Sequence, residues 1–184
     1  GAFQVARDGT DGVYVAGWFY GNFAVADTTL TGTATDYDAF LVKFDTNGVF
    51  QWVKTQTGSG YTKPIGLEAD DDGDVYVQIG FTGNFTAGSS SLTATTTSTS
   101  FCNNALIKYD TDGNYQWKTQ IEGDHYIINS WYWDYAGGVA IDGSGNPYCT
   151  GTFNVSDTLE VGSLTLFSTA AYDAYLVKFN QANG

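Results

Sequence analysis

The sequence predicts an all-β protein, an array of three four-stranded antiparallel units of the β-propeller type with the last lacking its fourth strand. Three observations predict it. Tyr14, Tyr76 and Tyr148 each sit in the same local pattern. Apolar residues alternate with a period of two where they can be read, as Phe40, Val42 and Phe44 do against Leu41 and Lys43. Gly-containing turns punctuate the chain between short apolar runs rich in Thr and aromatic residues, which favour strands.

The first two strands of each unit are read from the residues upstream of the repeated tyrosine. An aliphatic residue (Val5, Leu67, Val139) is followed by an aspartate (Asp8, Asp70, Asp142) and a Gly-containing turn. A short Asx side chain in such a turn accepts backbone N–H groups, so the recurrence of the aspartate argues for a structural role rather than catalysis. The second strand continues through Val15 to Phe19, Val77 to Phe81 and Cys149 to Phe153, and polar residues lead on to Leu30-Thr31, Leu92-Thr93 and Leu164-Thr165.

The third strand is Ala39 to Phe44, Leu106 to Tyr109 and Ala174 to Phe179. Asp45-Thr46-Asn47-Gly48 and Asp110-Thr111-Asp112-Gly113 then form tight turns, the glycine accepting positive φ. An aromatic fourth strand follows each, Phe50-Gln51-Trp52-Val53-Lys54 and Tyr115-Gln116-Trp117-Lys118-Thr119. The third copy reaches Asn180 to Gly184, the turn that precedes the fourth strand elsewhere. The copies run over about 1–60, 61–129 and 130–184, within a single β-repeat domain. Four short strands in roughly 60 residues is the pattern of a propeller blade.

At these motifs the chain resembles the bacterial β-propeller repeats of the SBBP kind, in which a strand–turn–strand containing Gly-Asn-x-Tyr leads to an Asp-Ala-Phe strand and then to a Trp-bearing one. The second copy departs from it with Asn103-Asn104-Ala105 and a longer Ser/Thr tract, Thr93 to Ser100. The resemblance implies a propeller-type array at the cell surface or outside the cell, acting as a structural or interaction module and not as an enzyme.

Composition narrows the function. Seven Lys and Arg against 20 Asp and Glu give a formal charge of −13, which repels polyphosphate backbones, so no nucleic-acid partner is expected. No apolar run approaches the ~20 residues of a spanning helix, so no membrane insertion is expected. His125 is the only histidine, and no Gly-x-Ser-x-Gly elbow accompanies it, so no catalytic residue is assigned.

Because three blades leave two blade faces uncovered, and an unpaired sheet edge is a template for strand addition, the expected partners are further repeats of the parent chain or other copies of it, joined into a larger or fibrous structure. The alternative is carbohydrate binding by the loop 125–135. There His125, Trp131, Tyr132, Trp133 and Asp134 mix aromatic faces with polar groups, against the simpler reading that the rings fill the gap between units.

No cofactor is expected. Calcium is the one cation the pattern suggests, at Asp70, Asp72 and Asp74, although the glycine falls at the wrong place for a calcium loop and no bidentate Glu follows. Asn84 and Asn154 head N-glycosylation acceptor patterns. Lys43, Lys108 and Lys178 recur at one strand position, which predicts structural ion pairs. Cys102 and Cys149 read as buried thiols, Cys149 standing where Val15 and Val77 stand in the other copies.

Overall fold

The computed structural model describes residues 1–96, 101–126, 137–154, 158–169 and 172–184. Every regular element among them is a β-strand, and every pairing is antiparallel. The first unit contains β1 (Ala2–Arg7), β2 (Gly12–Phe19), β3 (Asn22–Val25), β4 (Thr28–Thr31), β5 (Asp38–Asp45) and β6 (Phe50–Gly58). The second contains β7 (Thr62–Ala69), β8 (Val75–Phe81), β9 (Asn84–Ala87), β10 (Ser90–Thr93), β11 (Phe101–Tyr109) and β12 (Tyr115–Tyr126). The third contains β13 (Gly137–Ile141), β14 (Pro147–Asn154), β15 (Thr158–Val161), β16 (Leu164–Phe167) and β17 (Tyr172–Lys178).

The four principal strands of each complete unit pair in the order β1-β2-β5-β6 and β7-β8-β11-β12, and the third unit supplies β13-β14-β17. Two features differ from the sequence expectation. The polar link between the second and third strands is itself a hairpin, β3–β4, β9–β10 or β15–β16, so a complete unit has six strands rather than four. That hairpin does not stay with its own unit. β9 pairs with β6 and β15 pairs with β12, which extends the first two sheets to six strands with residues borrowed from the following unit. Among the described residues no sheet closes into a barrel or propeller, and β3–β4 stands as a separate two-stranded sheet.

The hairpin strands are only four residues long and mostly polar on the exposed face, so the residue pattern does not set them apart from a polar link. Their turns are chemically consistent with one another. The first turn residue has positive φ in each: Ala26 at 48°, Gly88 at 64° and Gly162 at 58°. Alanine pays a Cβ penalty there that glycine avoids. Ala26→Gly is therefore expected to stabilise the protein by about 0.5–1 kcal/mol, read as a rise in urea midpoint at unchanged slope.

Burial follows the stacking of units. β2 alternates buried and half-buried positions up to Ala16 and then, from Gly17, on the other face, whereas β8 is buried at every residue because the second sheet is covered on both sides. One core cluster joins Tyr14, Ala16, Ala39 and Leu41 of the first unit to Val75, Val77, Ile79, Phe81, Ile107 and Tyr109 of the second. Another joins Tyr76, Leu106, Trp117 and Ile121 of the second to Cys149, Phe153, Tyr175, Val177 and Phe179 of the third. The third cluster, around Phe19, Leu30, Phe40 and Val42, lies on the opposite face of the first sheet, where Val15, Phe23, Phe44 and Val53 are only partly buried.

Candidate assembly interface

The repeated aspartate builds the local geometry. In each unit its backbone N–H donates to the carbonyl four residues on, and one carboxylate oxygen accepts N–H groups from the second and fourth residues after it. The pairs are Thr10 and Gly12 on Asp8, Asp72 and Asp74 on Asp70, and Ser144 and Asn146 on Asp142, at 2.8–3.1 Å. Burial works to raise the Asp8 carboxyl, but the N–H groups of Gly12 and Thr10 and the Thr10 hydroxyl bring it below its ordinary value. Burial raises Asp70 against similar hydrogen bonds. The Lys178 ammonium, with the Asn146 N–H, holds half-buried Asp142 well below the carboxylate range.

The second repeated residue is the lysine, and each one does form an ion pair: Lys43 with Asp8 at 3.8 Å, Lys108 with Asp74 at 2.7 Å, and Lys178 with Asp142 at 2.8 Å. Each ammonium also lies over the ring of the repeated tyrosine, 5.1 Å from Tyr14, 5.3 Å from Tyr76 and 5.1 Å from Tyr148. Against the first two rings packs the tryptophan of the fourth strand, with Tyr14 to Trp52 at 5.9 Å and Tyr76 to Trp117 at 6.0 Å. In the first two units an Asp–Lys–Tyr–Trp group is thus assembled from three strands of one sheet and the turn between the first two strands of the unit.

This group grips the next unit. Trp52 Nε1 and Lys43 Nζ both donate to the carbonyl of Thr111, each at 3.0 Å. Trp117 Nε1 and Lys108 Nζ both donate to the carbonyl of Gln181, at 3.0 and 3.1 Å. Thr111 and Gln181 occupy the same place in the turn after the third strand of their units. The tyrosines reach the other turn of the next unit, Tyr14 Oη donating to Gly73 O at 2.7 Å and Tyr76 Oη to Gly145 O at 3.4 Å. The two junctions therefore share their tryptophan, lysine and tyrosine contacts at the polar edges and, through the clusters above, their apolar centres.

The same junction is half present at each end of the array. The third unit carries Asp142, Lys178 and Tyr148, but the face they belong to is bare: Leu176 is 70% exposed, where its counterparts Leu41 and Leu106 are both at 0%. At the other end Val5 is 69% exposed, where its counterpart Leu67 is at 6%, and the turn residue Thr46, equivalent to Thr111, is exposed.

The residues singled out from sequence fall as follows. Of Asp70, Asp72 and Asp74, Asp70 accepts the N–H groups of its own turn and Asp74 pairs with Lys108. Asp8 and Asp142 make the same turn with no carboxylate at the equivalent positions, so the turn geometry does not depend on a cation. Among the described residues no group of three or more His, Cys, Asp or Glu side chains gathers as a metal site.

His125, expected in the loop 125–135, lies on a strand, because β12 continues to Tyr126. The backbone of His125 pairs with that of Cys102, and Glu122 pairs with Glu160 of β15. Trp131, Tyr132, Trp133 and Asp134 lie outside the described residues. Asn84 is exposed on β9, and its Oδ1 accepts the Ser59 N–H at 3.0 Å. Asn154 is half-buried at the end of β14, and Ser156 of its acceptor pattern lies outside the described residues. Cys102 and Cys149 are both buried, and burial pushes the Cys149 thiol up.

Asn103, which stands where the other copies have aspartate, keeps the same job. Thr33 N–H reaches Asp38 at 2.6 Å, Thr95 N–H reaches Asn103 Oδ1 at 2.6 Å, and Thr169 N–H reaches Asp173 at 2.7 Å. Sequence reasoning found the lysines and the tryptophans but not what they grip. The available signal was that Lys and Trp recur at fixed places in strands whose neighbouring turns also recur. No protein-family model matches the chain, and no curated protein is detectably similar to it.

Proposed function

We propose that the chain is a non-enzymatic structural or interaction module: an open run of propeller-type units of the kind the SBBP-like pattern implies, working at the cell surface or outside it. In this reading its bare end faces pack against further units of the same kind and so join it into a larger assembly.

One observation carries the proposal, the exposure of the repeated leucine. At 0%, 0% and 70% exposed in successive copies, it marks a face that is covered by the next unit twice and left open once. A surface already complementary to such a unit, with its lysine and tyrosine in place, has as its best-matched partner another unit of the same design. The strongly acidic charge agrees with a role that does not engage polyphosphate partners.

Sedimentation across a range of protein concentrations tests it. The particle mass of the unaltered chain should rise with concentration, whereas Leu176→Arg, which puts a charge in the centre of the bare face and leaves the internal junctions intact, should hold the mass of one chain. Equal masses for the two proteins at every concentration would reject the reading.

A further inference from the structure

We infer that the free edge of β17 is an acceptor for one added β-strand, and that the strand it fits carries the aromatic-Gln-Trp pattern of β6 and β12. The inference deepens the end-to-end reading and rests on it for the origin of that strand, a further unit of the same kind.

The lane is defined by its neighbours. β5 is paired on both edges, by β2 and β6, and β11 likewise by β8 and β12. β17 pairs with β14, and among the described residues nothing pairs with its other edge. Such an edge offers a row of main-chain donors and acceptors to any extended chain, so main-chain bonding alone would be promiscuous.

Side chains set the choice. In both occupied lanes the tryptophan stands directly opposite the repeated lysine, Trp52 opposite Lys43 and Trp117 opposite Lys108, after a register shift that brings Phe50 opposite Phe44 and Tyr115 opposite Tyr109. In both, its ring packs on the repeated tyrosine. At β17 the receiving groups are already set. Lys178 lies 5.1 Å over Tyr148, as its counterparts do over their rings. Tyr148 is half-exposed, whereas Tyr14 and Tyr76, which carry a tryptophan, are fully buried. An incoming strand in the same register would place its tryptophan opposite Lys178 and against Tyr148, and its preceding aromatic residue opposite Phe179.

The far end of the strand is also specified. β6 ends at Gly58 where it crosses β9, and a Cβ there would collide with the Asn84 carbonyl. The β12 counterpart is Gly123, held at φ 139° beside the backbone of Thr158 and Leu159. A fitting strand therefore reads aromatic-Gln-Trp and has glycine six residues after the tryptophan, where the hairpin of the following unit crosses it.

A labelled synthetic peptide with the sequence of residues 49–59, titrated into the purified full chain and followed by fluorescence anisotropy, tests this. The expected result is saturable binding, with new amide hydrogen-exchange protection along β17. The same peptide carrying Trp52→Ala should bind roughly tenfold more weakly, and the chain carrying Tyr148→Ala should show a similar loss toward the unaltered peptide.

Absence of saturable binding, equal affinity of the two peptides, or protection falling elsewhere than β17 would overturn the inference. Sedimentation of the same samples separates the two readings. Peptide binding to a chain whose mass never rises would retain the strand site and reject the end-to-end assembly; concentration-dependent mass without peptide binding would do the reverse.

Discussion

Replacing Leu106 by Ala should destabilise the protein by about 3 kcal/mol, and Leu41→Ala by a similar amount, while Leu176→Ala should change stability by less than about 0.5 kcal/mol. The three residues occupy one position of the repeat, on strands that pair with their neighbours in the same register. Intrinsic strand preference is thus the same for all three and cancels in the comparison. The remaining difference is cover. Leu41 is closed over by the second unit and Leu106 by the third, both at 0% exposure, and truncation there removes buried methyl groups and leaves a cavity in a packed interface. Leu176 faces outward at 70% exposure, so its truncation removes little buried area. Urea unfolding of dilute protein, where end-to-end contacts are absent, measures all three. Losses of similar size at the three positions would mean that Leu176 is covered within one chain.

Lys63→Met should flatten the dependence of stability on pH between about 7 and 10, with a difference between the two proteins of about 2 kcal/mol across that window. Lys63 lies on β7, only 3% exposed, with its ammonium 4.7 Å from the ring centre of Trp18 and 4.1 Å from that of Tyr37. Burial lowers its pKa from an ordinary 10.5 to about 7. The ring faces favour the charged form, which sets the expected difference below what desolvation alone would give.

The sign follows from proton counting. Between the folded and unfolded pKa values the unfolded chain holds the proton and the folded chain does not, so unfolding becomes harder as pH rises through this window. Below about pH 7 both states are protonated, and the cost of burying the charge is present in full. The methionine variant lacks this contribution, and chemical denaturation at a series of pH values gives the difference directly. Parallel pH profiles for the two proteins would show that Lys63 keeps an ordinary pKa in its aromatic surroundings.

Much of the architecture was legible because it is local. The repeated tyrosine, the aspartate turn and the period-two strands are set by side chains acting on their own backbone, and all three units form these elements as the residues predict. The repeated lysines were legible for a related reason: a scarce residue type at one repeated position has a fixed partner, here the carboxylates of Asp8, Asp74 and Asp142.

What the residues did not convey is the exchange between units. Whether Phe85 and Thr86 pair within their own unit or with the preceding one is decided by the space beside β6, and nothing in a four-residue polar hairpin records it. The same holds for Thr111 and Gln181. They bind through a carbonyl, which every residue has, so the group that Trp52, Trp117 and their lysines grip leaves no mark on the side-chain sequence. The aromatic segment at 131–134 lies outside the described residues, so its role rests on sequence alone.

The exposed Leu176 face at one end and the exposed Val5 and Thr46 edge at the other are, on this account, halves of the junction already made twice inside the chain. If so, Lys178 of one molecule should approach Thr46 of the next, as Lys43 approaches Thr111 and Lys108 approaches Gln181. Cysteines placed at both positions, in a chain whose own Cys102 and Cys149 are buried, can be joined by a short bis-maleimide under native conditions. The account predicts a covalent ladder of dimers, trimers and longer chains from Thr46→Cys/Lys178→Cys, and none beyond a dimer from either single variant. No ladder from the double variant, or an equal ladder from a control pair that combines Lys178→Cys with exposed Ser163→Cys, would contradict it.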